Sequence, residues 1–338
     1  MLLKKYIHIT DWTIYFMDSL VGQNDTIHVS FSVWDLSDSY NKYAGVALVS
    51  LLENTHSHVS VHLLYDENLH ADSPTYSENK QAYRDIEEKY GCEISYHHVD
   101  APEWLHSLPS VRYYSFGTFL RLFLPDVLPN VNKVIYLDCD VCVTADISDL
   151  WAFDLNGKSI GVDEQNFNAG VIIFDLDKIR QNYNLAKQTL EFLDKNPRTR
   201  LLDQDALQHV FKNDYSTFDR MWNITTPYHS DYVDKNGIFH FIWTKPWKVW
   251  TGGTFAEHEF WGYFAKTPWG ADIEKLADAF ANCSNLSLPH AKESANRLIN
   301  YSLTYRLRYW LLFTQAFVSL HWRELRIRVK DLVFFWRM

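Results

Sequence analysis

The chain reads as an α/β fold, with a mostly parallel central sheet flanked by helices on both faces. Short runs that alternate apolar and polar residues at period two are separated by stretches with apolar residues at helical spacing. This alternation is regular through the first half of the chain, the pattern of successive βαβ units. Hydrophobic residues make up 47% of the chain and charged residues 22%, a balance that supports a packed core.

The elements follow in order. Residues 27–33 alternate at period two and predict a strand. Residues 40–54 carry Tyr43, Val46, Ala47, Ser50 and Leu51 at helical spacing. A second strand is expected at 59–65, a polar amphipathic helix at 76–90 and a third strand at 92–98. Residues 116–124 read as a helix stopped by Pro125, and 133–137 as a buried fourth strand. The second half predicts a strand at 169–174, one helix over 177–194, a short helix at 203–211 and a last strand at 238–242. Ligands of such sheets bind beyond the carboxyl ends of the strands, so the acids after Leu137 stand where chemistry is expected.

Charge and cysteine content exclude several classes. A net charge of −10 argues against a general nucleic-acid binder. Of the four cysteines, Cys139 and Cys142 alone form a CxxC spacing, and no second Cys or His pair completes a zinc site. A disulfide scaffold is not expected either, which fits a reducing, cytosolic setting. The opening Met-Leu-Leu-Lys-Lys resembles a signal start, but Asp11 and Asp18 interrupt its apolar core. No stretch has the uncharged apolar length of a spanning helix.

Asp138 and Asp140 close the apolar run 134–137. In extended chain, residues i and i+2 face the same way, so both carboxylates can meet one hard cation such as Mg²⁺ or Mn²⁺. Two acids at a strand end also occur as a solvated turn, and their position leaves both readings open. The surroundings add to this. Tyr136-Leu-Asp138-Cys-Asp140-Val, Asp149-Leu-Trp151, Phe167-Asn168-Ala-Gly170-Val, Asp203-Gln204-Asp205, and His240 ahead of Lys245-Pro-Trp247 follow in that order, with Thr118 and Arg121 upstream. This constellation resembles glycosyltransferase family 8, a group of retaining hexosyltransferases, over residues 27–247.

The resemblance implies a GT-A-type nucleotide-sugar-binding fold and a UDP-hexose donor, glucose or galactose. It implies that Asp138, Asp140 and His240 bind a divalent metal, Mn²⁺ in preference to Mg²⁺ because an imidazole is among the ligands. Lys245 is then a second cation for the leaving diphosphate, and Asn168 and Asp203 bind the donor hexose. Gly170 gives close backbone approach, and Gln204 lies near the anomeric carbon. Arg121 assists donor binding or serves as an ordinary ion pair. Asp35 and Tyr40 take the place of the segment that cradles the uridine. Other readings exist for some of these residues: His240 as a core histidine, Asn168 as a turn residue, Asp203 as a helix N-cap. A carboxamide is a poor nucleophile, so front-face displacement is expected, with the leaving phosphate oxygen taking the acceptor's proton.

The sequence departs from the family pattern at two places. His240 and Lys245 are one residue closer than the family's closing motif has them, with Trp243 where glycine is expected. Only six residues separate Gly161 from Asn168, where relatives carry a long excursion over the acceptor. The carboxyl-terminal tail 306–338 differs from the body. It holds seven basic and two acidic residues, net +5, leaving −15 for the rest, and it interleaves eight aromatics with them. Such a segment suits an anionic membrane surface, although a helix packed on the body reads similarly. The expected organisation is an N-terminal extension (1–26), a catalytic domain (27–265) and a helical C-terminal region (266–338). The enzyme is expected on the cytoplasmic face of the plasma membrane, acting on a glycan, a glycoprotein or a lipid-linked sugar. Two other functions compete: a non-catalytic nucleotide-sugar or membrane-partner binding protein of the same fold, and a sugar nucleotidyltransferase. The latter needs a Gly-rich phosphate loop that residues 27–40 lack.

Overall fold

The computed structural model describes residues 26–33, 40–65, 76–108, 116–165, 167–225, 236–242, 245–247 and 255–272. Asp35, Trp243, residues 1–25 of the N-terminal extension and residues 273–338 of the expected helical C-terminal region, with the tail 306–338, lie outside the described residues.

In chain order the elements begin β1 (Ile27–Ser32), α1 (Tyr40–Asn54), β2 (Val59–Tyr65), α2 (Tyr76–Tyr90) and β3 (Glu93–His98). Two 3₁₀ segments follow, Glu103–Ser107 and Phe116–Phe123, then α3 (Leu124–Val127), β4 (Lys133–Leu137), β5 (Val141–Val143) and α4 (Ser148–Trp151). The remainder is β6 (Ile160–Asp163), β7 (Val171–Asp175), α5 (Leu176–Asn182), α6 (Leu185–Lys195), α7 (Asp203–Val210), β8 (Tyr215–Phe218), β9 (Ile238–His240), α8 (Phe255–Phe264) and a final 3₁₀ turn, Pro268–Asp272.

Seven strands form one sheet in the order β3-β2-β1-β4-β7-β6-β8, and β5 pairs with β9 in a second, two-stranded sheet. All pairings in the large sheet are parallel except those of β7, which runs antiparallel to both β4 and β6. The expected mostly parallel sheet is therefore present, with one reversed strand. Period-two alternation divides the core between the faces. Ile135 and Leu137 of β4 and Val171 and Ile173 of β7 join one apolar cluster, under α1 and α8. Val134, Tyr136, Ile172 and Phe174 join the other, under the 3₁₀ segment and α6–α7.

Several expectations are corrected. Residues 116–123 form a 3₁₀ helix, and Pro125 does not end a helix but sits at the start of α3. A missing N–H costs nothing in a first helical turn, which is why proline is tolerated there. The single helix expected over 177–194 is two, α5 and α6, because Asn184 leaves the helix and caps α6 by accepting from Lys187 N. The acid pair lies in a tight turn between β4 and β5 and not in extended chain. Short strands β5, β6 and β8 were not anticipated. Residues past the expected boundary at 265 still pack on the body. The Trp269 indole covers Gly45 of α1 and donates to Asn79 Oδ1 at 3.1 Å.

Candidate metal and donor-sugar site

The site forms where the reversed strand meets its neighbour. β7 begins at the carboxyl end of β4, with Leu137 opposite Val171, and Asp138 N–H donates to Gly170 O at 2.8 Å. The turn 168–170 is thereby placed beside the acid pair. The small sheet brings the third group: Val141 pairs with His240, and Phe241 N–H donates to Asp140 O at 2.9 Å.

His240 Nε2 lies 3.5 Å from Asp138 Oδ2 and 3.2 Å from Asp140 Oδ1. One ligand atom from each of the three residues falls within 4.8 Å of the others, and among the described residues no other His, Cys, Asp and Glu cluster does this. Two carboxylates and an imidazole converging on one point fit a divalent cation such as Mn²⁺. Glycine at 170 is needed for this convergence. A Cβ there would stand 2.6 and 2.7 Å from the two ring nitrogens of His240. The close approach that Gly170 permits is thus by the imidazole.

Charge balance maintains the cluster. Burial works to raise Asp140, but Lys245 and His240 hold it below the ordinary carboxylate range, and the Lys245 ammonium contacts both its carboxylate and Phe241 O. Asp138 is likewise lowered against its burial, by Arg121 and His240. His240 moves the other way. Burial would lower it, but Asp140 and Asp138 raise it to about 9.

Arg121 is an ion-pair hub, 3% exposed. Its guanidinium donates to Asp138 Oδ1 at 2.7 Å, to Thr118 O at 3.0 Å and to Ala169 O, and stacks 4.2 Å from the Tyr136 ring. Its Nε is 3.2 Å from Asp203 Oδ2. That contact lacks hydrogen-bond alignment, so Oδ2 is a buried acceptor with no donor, while Oδ1 takes the Thr118 hydroxyl. Burial raises Asp203 to about 6, against the opposing pull of Arg121 and Thr118. Gln204 Oε1 accepts from Ala169 N at 3.1 Å.

The backbone just before the two expected hexose-binding residues is in the left-handed region. Phe167 and Leu202 both have φ of 49°. Side chains other than glycine pay roughly 1–3 kcal/mol for such conformations. Here both side chains are buried in the second core cluster, which anchors the turns presenting Asn168 and Asp203.

Nine of the eleven residues singled out from sequence line one cleft of about 710 Å³: Arg121, Asp138, Asp140, Asn168, Gly170, Asp203, Gln204, His240 and Lys245. Tyr40 is elsewhere, edge-on to Tyr43 and Trp247, and Asp35 is not described. Asp203 opens α7 as its first residue, following Leu202 at the N-cap. Sequence reading overlooked Leu201 and Ile242, which also line the cleft, and Asn223, which contacts His240 and Asn168 from behind. A lone asparagine after a short 3₁₀ turn carries no periodic signal.

The glycosyl transferase family 8 model matches residues 32–251, well over half of the chain. General stress protein A of Bacillus subtilis is 25% identical over 270 residues, covering 69% of this chain and 92% of that protein. Lipopolysaccharide 1,3-galactosyltransferase of Salmonella typhimurium is 27% identical over 233 residues, covering 57% and 67%. The crystal structure of the galactosyltransferase LgtC with donor and acceptor sugar analogs superposes with a TM-score of 0.60 at 23% identity, covering 72% of this chain and 96% of that one, which bears on the fold. Among the described residues no helix is long and apolar enough to cross a membrane. The sheet, the converging acids and the family match agree: the chain belongs to glycosyl transferase family 8 and is a glycosyltransferase.

Proposed function

We propose that this enzyme transfers a hexose, glucose or galactose, from UDP to a sugar acceptor of a surface glycan, glycolipid or glycoprotein, with retention of configuration and dependence on Mn²⁺. The observation that carries this reading is the convergence of Asp138, Asp140 and His240 beside Lys245, in the same cleft as Asn168, Asp203 and Gln204. A divalent cation held by the first three would supply Lewis-acid stabilisation of the charge developing on the departing diphosphate.

The chain's own groups do the rest. Lys245, now paired with Asp140, would donate its ammonium hydrogens to a diphosphate oxygen. Asp203 Oδ2, buried and without a hydrogen-bond donor, accepts from a hexose hydroxyl, and Asn168 lines the same cleft. Gln204 is held by Ala169 N–H and offers no nucleophile. Each cleft carboxylate is engaged by Arg121, His240, Lys245 or Thr118, which supports front-face displacement over a covalent glycosyl intermediate. The leaving phosphate oxygen then takes the acceptor's proton as the new glycosidic bond forms. Asp35 and Tyr40 remain our assignment for the uridine side, and the basic tail for docking to an anionic membrane on the cytoplasmic face.

The test is UDP release from a panel of UDP-sugars, with Mn²⁺ and then with EDTA. Release from one sugar that stops in EDTA is expected and names the donor. Release that persists in EDTA overturns the metal assignment. Mn²⁺ and UDP-sugar binding without turnover, even with sugar acceptors, favours a binding protein of this family.

A further inference from the structure

Asn223 follows the 3₁₀ turn Arg220–Trp222 and is 3% exposed. Its neighbour Ile224 is laced to β9, donating to Ile238 O at 2.8 Å and accepting from His240 N at 3.0 Å. The Asn223 carboxamide is therefore fixed beside the His240 ring. Its oxygen lies 3.0 Å from His240 Nδ1, and its nitrogen lies 3.0 Å from Asn168 Oδ1, with Asn168 O and Asp163 Oδ2 both at 3.4 Å.

The direction of every bond in this chain follows from one backbone group. Gly170 N–H reaches Asn168 Oδ1 at 2.9 Å, and a backbone N–H can only donate. The Asn168 atom it meets is therefore the carbonyl oxygen. Whatever Asn223 presents to that same oxygen must donate, so it is Nδ2. The other end of the Asn223 carboxamide is then its oxygen, an acceptor, and His240 Nδ1 must carry the hydrogen. A neutral His240 in this setting has its lone pair on Nε2, the nitrogen that faces Asp138 and Asp140.

We infer that Asn223 is a positioning residue: it fixes the His240 tautomer for metal ligation through Nε2 and ties that ring to Asn168. Partners of this kind behind a metal-bound histidine orient the ring and raise its basicity, and their loss typically weakens metal binding by about 10–100-fold. One carboxamide thus supports both the metal side and the sugar side of the cleft. The inference rests on the metal site proposed above.

Two measurements on the full chain test it. Asn223→Leu keeps the branched shape and removes every hydrogen bond of the carboxamide. Its Mn²⁺ affinity by titration calorimetry is expected to fall about 10–100-fold relative to wild type. The second measurement needs no variant. In wild-type protein labelled with ¹⁵N-histidine and loaded with ¹¹³Cd²⁺, the nitrogen coupled to cadmium should be His240 Nε2, with Nδ1 protonated. Equal Mn²⁺ affinity in N223L and wild type, or cadmium coupling at Nδ1, overturns the role of Asn223 and leaves the metal site standing. A wild-type chain with no affinity for Mn²⁺ overturns both.

Discussion

Gly170 and His240 share a space that only a glycine can leave open. A Cβ on residue 170 would lie 2.6 Å from His240 Nδ1 and 2.7 Å from Nε2. Gly170 is not in the left-handed region, so glycine is there for room and not for backbone freedom. Gly170→Ala is therefore expected to fold, displace the imidazole and weaken Mn²⁺ binding by at least ~10-fold, by analogy with other losses of ligand orientation. Calorimetric titration with Mn²⁺ checks this, and wild-type affinity in the variant would show that the ring can shift without consequence.

Asp203 should make the fold less stable at neutral pH. Its folded pKa, about 6, lies above the ordinary carboxylate value, so the native state holds the proton more tightly than the unfolded chain. Stability from this group is full at acid pH and declines as pH rises from about 4 to 6, by about 3 kcal/mol at most. Asp203→Asn imitates the protonated form. It should be more stable than wild type in urea at pH 7.5, about equal at pH 4, and poor in glycosyl transfer. Lower stability at pH 7.5 would mean that the Arg121 ion pair outweighs the burial.

Acid should weaken the opposite edge of the sheet. His28, His62 and His97 on β1, β2 and β3 form a hydrogen-bonded row, with Nδ1 of His28 3.0 Å from Nε2 of His62 and Nδ1 of His62 3.1 Å from Nε2 of His97. Burial, then His97 and His28, lower His62 to about 3. The unfolded chain takes up the proton first, so this contribution is intact above about pH 6.5 and lost on acidification toward 3. Going from pH 7 to 5 should remove about 2 kcal/mol. His62→Leu should flatten that dependence, as measured by urea unfolding at the two pH values; an unchanged slope would place the acid-sensitive group elsewhere.

Trp269 fastens the end of the described chain to the helices of the first half. A Cβ on Gly45 would overlap the Trp269 ring, which also lies edge-on to Tyr83 at 5.5 Å. Gly45→Ala should cost about 1–3 kcal/mol through overpacking. Tryptophan emission should shift to the red if the indole is expelled. Unchanged urea stability would mean that the segment repositions freely.

Much of this could be read in the chain beforehand, and the exceptions have physical causes. A buried strand such as residues 133–137 declares itself as an apolar run, and the acid pair is conspicuous at its end. Strands β5 and β8, three and four residues long, are too short for a period to register. The reversal of β7 is a pairing choice that no local pattern encodes, yet it sets Asn168 beside Asp138. The break between α5 and α6 was a matter of capping: Asn184 satisfies a backbone N–H better outside the helix than within it. Asn223 was invisible because its importance lies wholly in what stands around it.

The β6–β7 connection separates what this enzyme must keep from what it is free to change. Its two strands are pinned in register, Ile160 to Phe174 and Gly161 to Ile173, and Asn168 N–H is held by Asp163 Oδ2 at 2.8 Å. Residues inserted between Glu164 and Phe167 would extend from this fixed base, with Asp138 and Asp140 held in the β4–β5 turn and His240 on β9. The hairpin tip is thus a place where chain length can vary while the register of its two strands stays fixed.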